Sequence, residues 1–389
     1  MNQETQSTQA SITIIGSGLA GYTVIREIRK LDKNVPITLI TKEPGYFYSK
    51  PMLSTALANK KDAKQLISTP SAEMASQLSI TILGQTEVSA INLKQQEIKT
   101  QQGVIPYSKL VLALGADQIH LPLQGSASNA VLTVNDLEDY EKFRQQIQGK
   151  KRVAILGAGL IGCEFANDLV LGGFEVDVID MAPQALGRLL PQEASQELAS
   201  KLHSAGVSWH FSTTLQSVDH QDSVLKLTLA NGTSLLCDTV LSAIGLKPRL
   251  ELAQSAGIRT NIGIIVNREL ETSAPNVYSL GDCAEVDGLV LPYVMPIMQA
   301  ARALAPSLIG QRTALSYPAM PVMVKTPAMP TIVSPPAKNA NGQWNTKIID
   351  GGLEARFESE DGKLLGFALM GSATAQRAAF TKELPPLLN

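Results

Sequence analysis

Short apolar runs separated by glycine turns characterise the first part of the chain. The run Ile12–Ile15 predicts a buried strand, and the turn after it leads into a helical pattern from about Gly21 to Leu31. Val35–Thr41 predicts the next strand. A strand, a helix and a second strand in this order form a β-α-β unit over a parallel sheet, with a right-handed crossover.

The same pattern begins again at Lys151. Val153–Leu156 predicts a strand, Gly157–Gly162 a turn, Cys163–Leu171 a helix and Glu175–Asp180 a second strand. Two separate copies of one such unit indicate two nucleotide-binding domains rather than an array of short repeats.

Other segments have the alternating pattern of half-buried strands. Ser79–Glu97 predicts a hairpin or meander, and Leu225–Leu236 alternates around an Asn-Gly pair, which is typical of a hairpin turn. Leu110–Leu114 and Val240–Ile244 predict buried strands that end at glycines. Beyond about Ser316 prolines become frequent, which predicts a boundary followed by a small β-rich domain.

Composition limits the classes of function. Lys plus Arg is 33 and Asp plus Glu is 35, so the net charge of −2 excludes a generic polyanion binder but not a local basic patch. No apolar run approaches the roughly 20 residues that cross a bilayer. Met1–Ser11 lacks the pattern of a signal peptide, and we expect the first ten residues to form a disordered tail. We therefore expect a soluble cytoplasmic protein that does not insert into membranes and does not bind nucleic acid.

The cysteines and histidines show no ligand spacing. The cysteines are far apart, which excludes a disulfide-rich fold, and we expect them to be buried packing residues: Cys163, Cys237 and Cys283. No metal site is expected, and no role is assigned to the four histidines.

The first glycine turn has the G-x-G-x-x-G spacing of a dinucleotide-binding fingerprint. In that fingerprint the first glycine permits the tight turn, the second lets a pyrophosphate approach, and the third lets helix and strand pack closely. Its residues are Gly16, Ser17, Gly18, Leu19, Ala20 and Gly21. The strand-end position, where an acid would bind the ribose, is occupied by Thr41. We therefore choose Glu43, two residues later, as the ribose acid, with Thr41 and Lys42 close to the same adenosine.

The second glycine turn matches the fingerprint more closely. It contains Gly157, Gly159, Leu160, Ile161 and Gly162. Asp180 stands at the end of the next strand, where a carboxylate suits a ribose 2′-hydroxyl and repels a 2′-phosphate. The sequence therefore predicts NADH rather than NADPH at this turn.

A third signal is the apolar segment Ala274–Leu280, which ends in Gly281-Asp282. Together with the two fingerprints, it resembles the pyridine-nucleotide–disulfide oxidoreductase superfamily over about Ile12–Ile309. The resemblance implies an α/β protein with two Rossmann-like domains, in a glutathione-reductase-like fold, and a small α+β C-terminal domain. It implies an FAD-binding domain over 1–115 and 243–316, an NADH-binding domain over 116–242 and a small domain over 317–389.

Three segments narrow the resemblance. Tyr48–Ser54 lacks the Cys pair of disulfide reductases, and together with Gly162–Asp168 and Val324–Pro327 it resembles the rubredoxin–NAD(+) reductase branch over nearly the full chain. Relatives that reduce ferredoxins often have Lys directly after the Leu-Ser, near flavin N5. Thr55 stands there in this chain, so a basic group near the flavin must come from elsewhere.

The resemblance also assigns roles to residues. The second glycine turn and Asp180 bind NADH, and Glu164 is a catalytic carboxylate beside the nicotinamide and flavin N5. Lys325 follows an apolar run; either its ammonium lies in water at a sheet edge, or it is a catalytic cation against the flavin, whose pyrimidine edge becomes anionic on reduction. The residues expected to hold FAD are those of the first glycine turn with Thr41, Lys42, Glu43, Lys50, Val88, Glu164, Asp282, Val294 and Lys325.

The activity implied is hydride transfer from NADH to FAD, followed by single-electron transfer to rubredoxin, an acidic iron carrier. The carrier would supply an alkane hydroxylase, or a flavoprotein that reduces oxygen or nitric oxide. The alternatives are a ferredoxin or flavorubredoxin reductase and, outside the enzymes, a flavin-binding scaffold or signalling protein. We expect a monomer.

Overall fold

The computed structural model of this protein describes residues 11–389, so the predicted tail lies outside the described residues. This range contains 26 β-strands and eight α-helices. The strands are β1 (Ser11–Ile15), β2 (Ile37–Ile40), β3 (Phe47–Tyr48), β4 (Ile67–Thr69), β5 (Thr81–Leu83), β6 (Val88–Asn92), β7 (Glu97–Thr100), β8 (Gly103–Leu112), β9 (Ala116–Gln118), β10 (Val131–Thr133), β11 (Arg152–Leu156), β12 (Glu175–Ile179), β13 (Val207–His210), β14 (Leu215–Gln221), β15 (Val224–Leu229), β16 (Ser234–Cys237), β17 (Thr239–Ser242), β18 (Leu246–Pro248), β19 (Ile264–Val266), β20 (Val277–Ser279), β21 (Ala284–Val286), β22 (Val322–Val324), β23 (Thr331–Ser334), β24 (Gln343–Ile349), β25 (Gly352–Glu358) and β26 (Leu364–Gly371). The helices are α1 (Leu19–Leu31), α2 (Ser71–Leu78), α3 (Leu137–Gln146), α4 (Leu160–Leu171), α5 (Gln192–Ser204), α6 (Glu251–Ser255), α7 (Val294–Leu308) and α8 (Arg377–Glu383).

The chain forms two compact units. Of the described residues, the first comprises 11–50, 67–117 and 247–317, and the second comprises 51–66, 118–246 and 318–389. The second glycine turn, the segment 51–66 and the C-terminal segment thus belong to one unit. The division into three domains stays a prediction.

The first unit is built on a mixed sheet. Strands β5, β2, β1, β8 and β20 are parallel neighbours, and β8 continues into the antiparallel meander β8-β7-β6. The prediction of a hairpin or meander over Ser79–Glu97 is confirmed for β6, which pairs with β7, but it is wrong for β5, which pairs in parallel with β2 because it extends the central sheet. Because β1, β8 and β20 run parallel, their carboxyl ends meet at one edge, where the first glycine turn and the Gly-Asp pair follow them.

The second unit contains a parallel sheet in the order β10-β17-β11-β12-β13 and an antiparallel sheet β14-β15-β16. The predicted Asn-Gly hairpin joins β15 to β16. The side chains between these sheets form one apolar cluster that includes Leu156, Leu227 and Val240.

The C-terminal part of the second unit is an antiparallel sheet in the order β22-β23-β26-β25-β24. Phe367 and Phe380 pack edge to face, 5.4 Å between ring centroids, and hold α8 against this sheet. The β-rich texture predicted beyond Ser316 is confirmed.

Both nucleotide-turn helices begin earlier than predicted. The predicted starts were Gly21 and Cys163, but α1 begins at Leu19 and α4 at Leu160. The cause is the same in each: Gly18 and Gly159 occupy the N-cap positions, so the last residues of each motif already form the first helical turn. The free N–H groups of that turn therefore face the space where a pyrophosphate would bind.

Helix α7 runs from Val294 to Leu308 and contains Pro296 near its start. Pro296 is tolerated because it lies in the first turn, where backbone N–H groups have no partner within the helix. None of the helices within residues 11–389 has the length and apolarity to span a membrane.

Candidate functional site

The first glycine turn is shaped by close backbone packing. Gly16 has φ +116°, and a Cβ there would lie 2.1 Å from the carbonyl oxygen of Ala113. A Cβ at Gly21 would lie 1.9 Å from the carbonyl oxygen of Gly16. At Gly18, by contrast, no described atom lies within 4 Å of the Cβ position. The open side of the turn is therefore where a ligand can approach, as the fingerprint requires.

Thr41 links the first glycine turn to the strand-end region. Its hydroxyl accepts a hydrogen bond from Ser17 Oγ at 2.9 Å and one from the Glu43 N–H at 3.2 Å. Thr41 is buried, Lys42 is exposed and Glu43 is half-buried. Of the two ribose candidates, Glu43 is therefore the more accessible, and Thr41 fixes the turn.

Asp282 lies close to the first glycine turn. Gly281 has φ +82°, and a Cβ there would be 2.9 Å from Ala20 Cβ, so the Gly-Asp pair abuts the start of α1. The Asp282 carboxylate is half-buried, and no group in residues 11–389 forms a hydrogen bond with it. Burial raises its pKa, an effect opposed by the positive charges of Lys50 and Arg249.

Arg249 is a residue that the sequence interpretation missed. Its guanidinium bonds the Leu114 carbonyl oxygen at 2.9 Å and Asp117 Oδ1 at 2.6 Å. Burial would raise the pKa of Asp117, but the hydrogen bond and charge of Arg249, with the charge of Lys50, hold it below its usual value. The edge of the first sheet thus carries the positive charges of Lys50 and Arg249 near the Asp282 carboxylate.

The two remaining FAD candidates of this unit lie in regular structure. Val88 is the first residue of β6 and pairs with Thr100 of β7. Val294 is the first residue of α7 and is 41% exposed, next to free helix N–H groups. The features of this unit fit a flavin dinucleotide. Gly18 leaves the helix N-cap open to a pyrophosphate, and the Asp282 carboxylate is available to accept a ribityl hydroxyl.

The second glycine turn repeats the design of the first. A Cβ at Gly157 would lie 2.6 Å from the Ala243 carbonyl oxygen, and one at Gly162 would lie 1.8 Å from that of Gly157. The Cβ position of Gly159 has no neighbour within 4 Å in the part of the chain that the structure describes. This turn therefore fits a pyrophosphate equally well.

Asp180 follows β12 and is tied to the second turn. Its carboxylate accepts hydrogen bonds from the N–H groups of Ala158 and Ala182, the latter at 2.7 Å. The loop after it is exposed at Met181, with no basic residue in the three positions that follow Asp180. The carboxylate is thus fixed beside the turn in the position expected of a ribose ligand.

Glu164 forms the most buried charged contact of the second unit. It is 1% exposed on α4, and its Oε2 accepts hydrogen bonds from Ser54 Oγ at 2.6 Å and from Lys325 Nζ at 2.6 Å. Its Oε1 accepts the backbone N–H of Lys325 at 3.0 Å. Two segments remote in sequence therefore converge on one carboxylate.

Lys325 lies just after β22, and its ammonium is directed into the protein. It bonds Glu164, Ser54 Oγ at 2.9 Å and the carbonyl oxygen of Pro51, and its side chain is 26% exposed. The interpretation of an edge-strand lysine in water is therefore wrong. A basic group therefore does reach Ser54, the residue before Thr55. It is the ammonium of Lys325, which comes from the C-terminal segment.

The residues after Glu164 extend this arrangement along α4. Asn167 Oδ1 accepts the Ala328 N–H at 3.0 Å. The Asp168 carboxylate accepts the N–H groups of Leu57 and Ala58 at 3.0 and 2.9 Å. Burial raises the pKa of Asp168, and these two N–H bonds oppose the shift. One face of α4 thus anchors both the segment after Pro51 and the loop after Lys325.

The three cysteines are buried free thiols. Burial raises the pKa of Cys237 to about 12, and it raises the pKa of Cys163 and of Cys283 as well. A buried thiol with a raised pKa is unreactive, which confirms the expectation of packing residues.

Comparison with protein families gives two matches. A model described as pyridine nucleotide-disulphide oxidoreductase matches residues 10–305. The chain belongs to this oxidoreductase family. A second model, described as a rubredoxin binding C-terminal domain, matches residues 314–384.

Individual relatives agree with this placement. The rubredoxin-NAD(+) reductase of Alcanivorax borkumensis is 46% identical, and the alignment covers 97% of this chain and 99% of that protein. The nitric oxide reductase FlRd-NAD(+) reductase of Aeromonas salmonicida is 38% identical and covers 96% of both chains. Among solved structures, the ferredoxin reductase for the CYP199A2 system from Rhodopseudomonas palustris has a TM-score of 0.87 and 27% identity, over 97% of this chain and 96% of that one.

As a member of this oxidoreductase family the protein is an enzyme, and its cofactors are FAD and NADH. The predicted fold class is confirmed. The structure brings Gly16–Gly21, Thr41 and Asp282 together in the first unit, and Glu164 and Lys325 in the second. The individual FAD and NADH contacts of these residues stay predictions.

We expect Asp180→Ala to weaken NADH binding and to narrow the preference for NADH over NADPH. In the wild type, a carboxylate that faces a 2′-phosphate is expected to discriminate by about a hundredfold. Steady-state kcat/KM for both nucleotides, in wild type and variant, measures the effect. Equal use of the two nucleotides by the wild type would show that Asp180 is not the ribose ligand.

Proposed function

We propose that this oxidoreductase transfers electrons from NADH through FAD to rubredoxin. The observation that favours it most is Lys325, which lies in the region similar to a rubredoxin binding C-terminal domain and bonds Glu164 on the helix that opens at the nucleotide turn. The similarity to a rubredoxin-NAD(+) reductase over nearly the whole chain supports the same acceptor.

When bound, FAD supplies the chemistry of accepting a hydride and releasing electrons singly. The first glycine turn and the N-terminus of α1 hold the FAD pyrophosphate. Glu43 binds the ribose, and Asp282 binds the ribityl chain. The remaining FAD contacts proposed in this unit are those of Thr41, Lys42, Lys50, Val88 and Val294.

The second unit holds NADH and the catalytic pair. Gly157–Gly162 presents free N–H groups to the NADH pyrophosphate, and Asp180 accepts from the ribose. Glu164 and Lys325 are the proposed catalytic residues, where nicotinamide and flavin meet. Lys325 would supply positive charge to the pyrimidine edge of the bound flavin, and the buried carboxylate of Glu164 fixes the position of the Lys325 ammonium.

We place the protein in the cytoplasm, with reduced rubredoxin feeding an alkane hydroxylase. The second candidate acceptor is a flavorubredoxin, because the relative from Aeromonas salmonicida is named as a reductase of that kind. Ferredoxin is a third, suggested by the ferredoxin reductase of similar structure.

The test is anaerobic steady-state NADH oxidation by the purified holoenzyme against rubredoxin, flavorubredoxin, ferredoxin, quinone and disulfide acceptors. We expect the purified protein to carry one non-covalent FAD and to give its highest kcat/KM with rubredoxin. A tenfold or larger preference for another acceptor, about 1.4 kcal/mol, would overturn the assignment. Release of FMN, or of no flavin, on denaturation would overturn the cofactor assignment as well.

A further inference from the structure

The loop that follows the Ser54 segment is basic. Residues 58–66 hold three lysines, Lys60, Lys61 and Lys64, against one aspartate, Asp62, a local charge of +2 on a chain of −2. All three lysines are exposed, and none forms an ion pair within residues 11–389. The Asp62 carboxylate accepts the Gln65 N–H at 2.7 Å.

The backbone of this loop is held in place at both sides. The N–H groups of Lys60 and Lys61 donate to the carbonyl oxygens of Leu57 and Ala56, each at 2.9 Å. The Lys61 carbonyl oxygen in turn accepts Arg144 Nη1 at 2.7 Å and the Tyr140 hydroxyl at 3.1 Å, both from α3. A fixed backbone lowers the ordering cost when a partner binds its side chains.

The basic loop is continuous with the Glu164 site. The Asp168 carboxylate accepts the N–H groups of Leu57 and Ala58, where the loop begins. Asp168 follows Glu164 by one helical turn of α4, a rise of roughly 6 Å. Lys325, from the region similar to a rubredoxin binding domain, contacts the start of the same segment at Ser54. The loop therefore extends a surface that begins at the C-terminal segment.

We propose that Lys60, Lys61 and Lys64 form the electrostatic docking surface for a small acidic electron-carrier protein. The inference rests on the proposed function and extends the acceptor surface beyond the C-terminal region. Exposed lysines without ion-pair partners attract an acidic surface at long range, and such steering raises association rates by about ten- to a thousandfold at low salt. A transient carrier needs only a small interface, below about 1,200 Å².

The test compares two charge reversals of equal size in the same unit. The holoenzyme variant Lys60→Glu/Lys61→Glu reverses two of the three charges of the surface, and Lys150→Glu/Lys151→Glu reverses another pair of adjacent exposed lysines. With a purified acidic rubredoxin at low ionic strength, we expect the first to lower kcat/KM about tenfold or more and the second less than about twofold. The deficit should fall below about threefold near 0.5 M salt, where surface charges are screened. Lys64→Glu should lower kcat/KM by a smaller factor, and salt should reduce that deficit in the same way.

Several results would overturn the proposal. They are an equal loss in both double variants, or a deficit in Lys60→Glu/Lys61→Glu that salt does not reduce. Flavin content and anaerobic reduction by NADH are measured first, and a variant that lost flavin would be replaced by Lys60→Gln/Lys61→Gln, for which a smaller salt-dependent loss is expected. If wild type did not reduce rubredoxin at all, the proposed function would fail; if it did so and the patch variants matched it, only this inference would fail.

Discussion

Gly159→Ala is expected to raise the KM for NADH by about a hundredfold while lowering the free energy of unfolding by no more than about 1 kcal/mol. The Cβ position of Gly159 has no described neighbour within 4 Å, and its φ of −76° is accessible to alanine. The added methyl group therefore meets only the incoming pyrophosphate. Steady-state kinetics and urea unfolding measure the two quantities.

Gly162→Ala is the matched control. Its Cβ would lie 1.8 Å from the Gly157 carbonyl oxygen, so the helix must shift whether or not nucleotide is bound. We expect this variant to lose both stability and NADH affinity. If Gly159→Ala left KM unchanged, the open side of the turn would not be the pyrophosphate site.

Glu164→Gln should slow NADH-driven flavin reduction by about a hundredfold. The carboxylate accepts bonds from Ser54 and from both the ammonium and the backbone N–H of Lys325. Glutamine keeps one oxygen acceptor but removes the negative charge that pairs with the ammonium, so the position of Lys325 is no longer fixed. Electron transfer from pre-reduced enzyme to rubredoxin should change little. Stopped-flow measurement of each half-reaction separates the two.

Lys325→Met completes this test because it keeps much of the apolar stem and removes the charge. The flavin midpoint potential should fall by about 30 mV or more, where 30 mV corresponds to about 1.4 kcal/mol for two electrons. Glu193→Gln, an exposed carboxylate in the first turn of α5, is the control for both. An unchanged potential in Lys325→Met would remove that lysine from the flavin site.

The nucleotide turns could be predicted from sequence because their determinants are local. An apolar strand, three glycines at fixed spacing and a helix lie within about 20 residues of one another, and short-range sterics fix their geometry. The helix starts were wrong by two or three residues because the glycine motif itself forms the first turn of each helix.

The cluster of Ser54, Glu164 and Lys325 could be predicted only in part. Lys325 was notable as a lysine after an apolar run, but its partner Glu164 is 161 residues away, and Ser54 is 110 residues from Glu164. No spacing rule connects such residues, since tertiary packing alone brings them together. Arg249 gave no signal, because its role depends on the carbonyl group of Leu114, which is 135 residues away in sequence and follows β8.

The anchoring face of α4 has a consequence for building chimeras of this enzyme. The C-terminal segment corresponds to a separate family match, which invites its exchange for that of a relative with another carrier. The backbone N–H groups of Lys325 and Ala328 in this segment nevertheless donate hydrogen bonds to the side chains of Glu164 and Asn167, respectively. A graft joined at residue 318 therefore has to preserve these two α4 side chains, so the transferable module is the C-terminal segment together with part of a helix some 150 residues upstream.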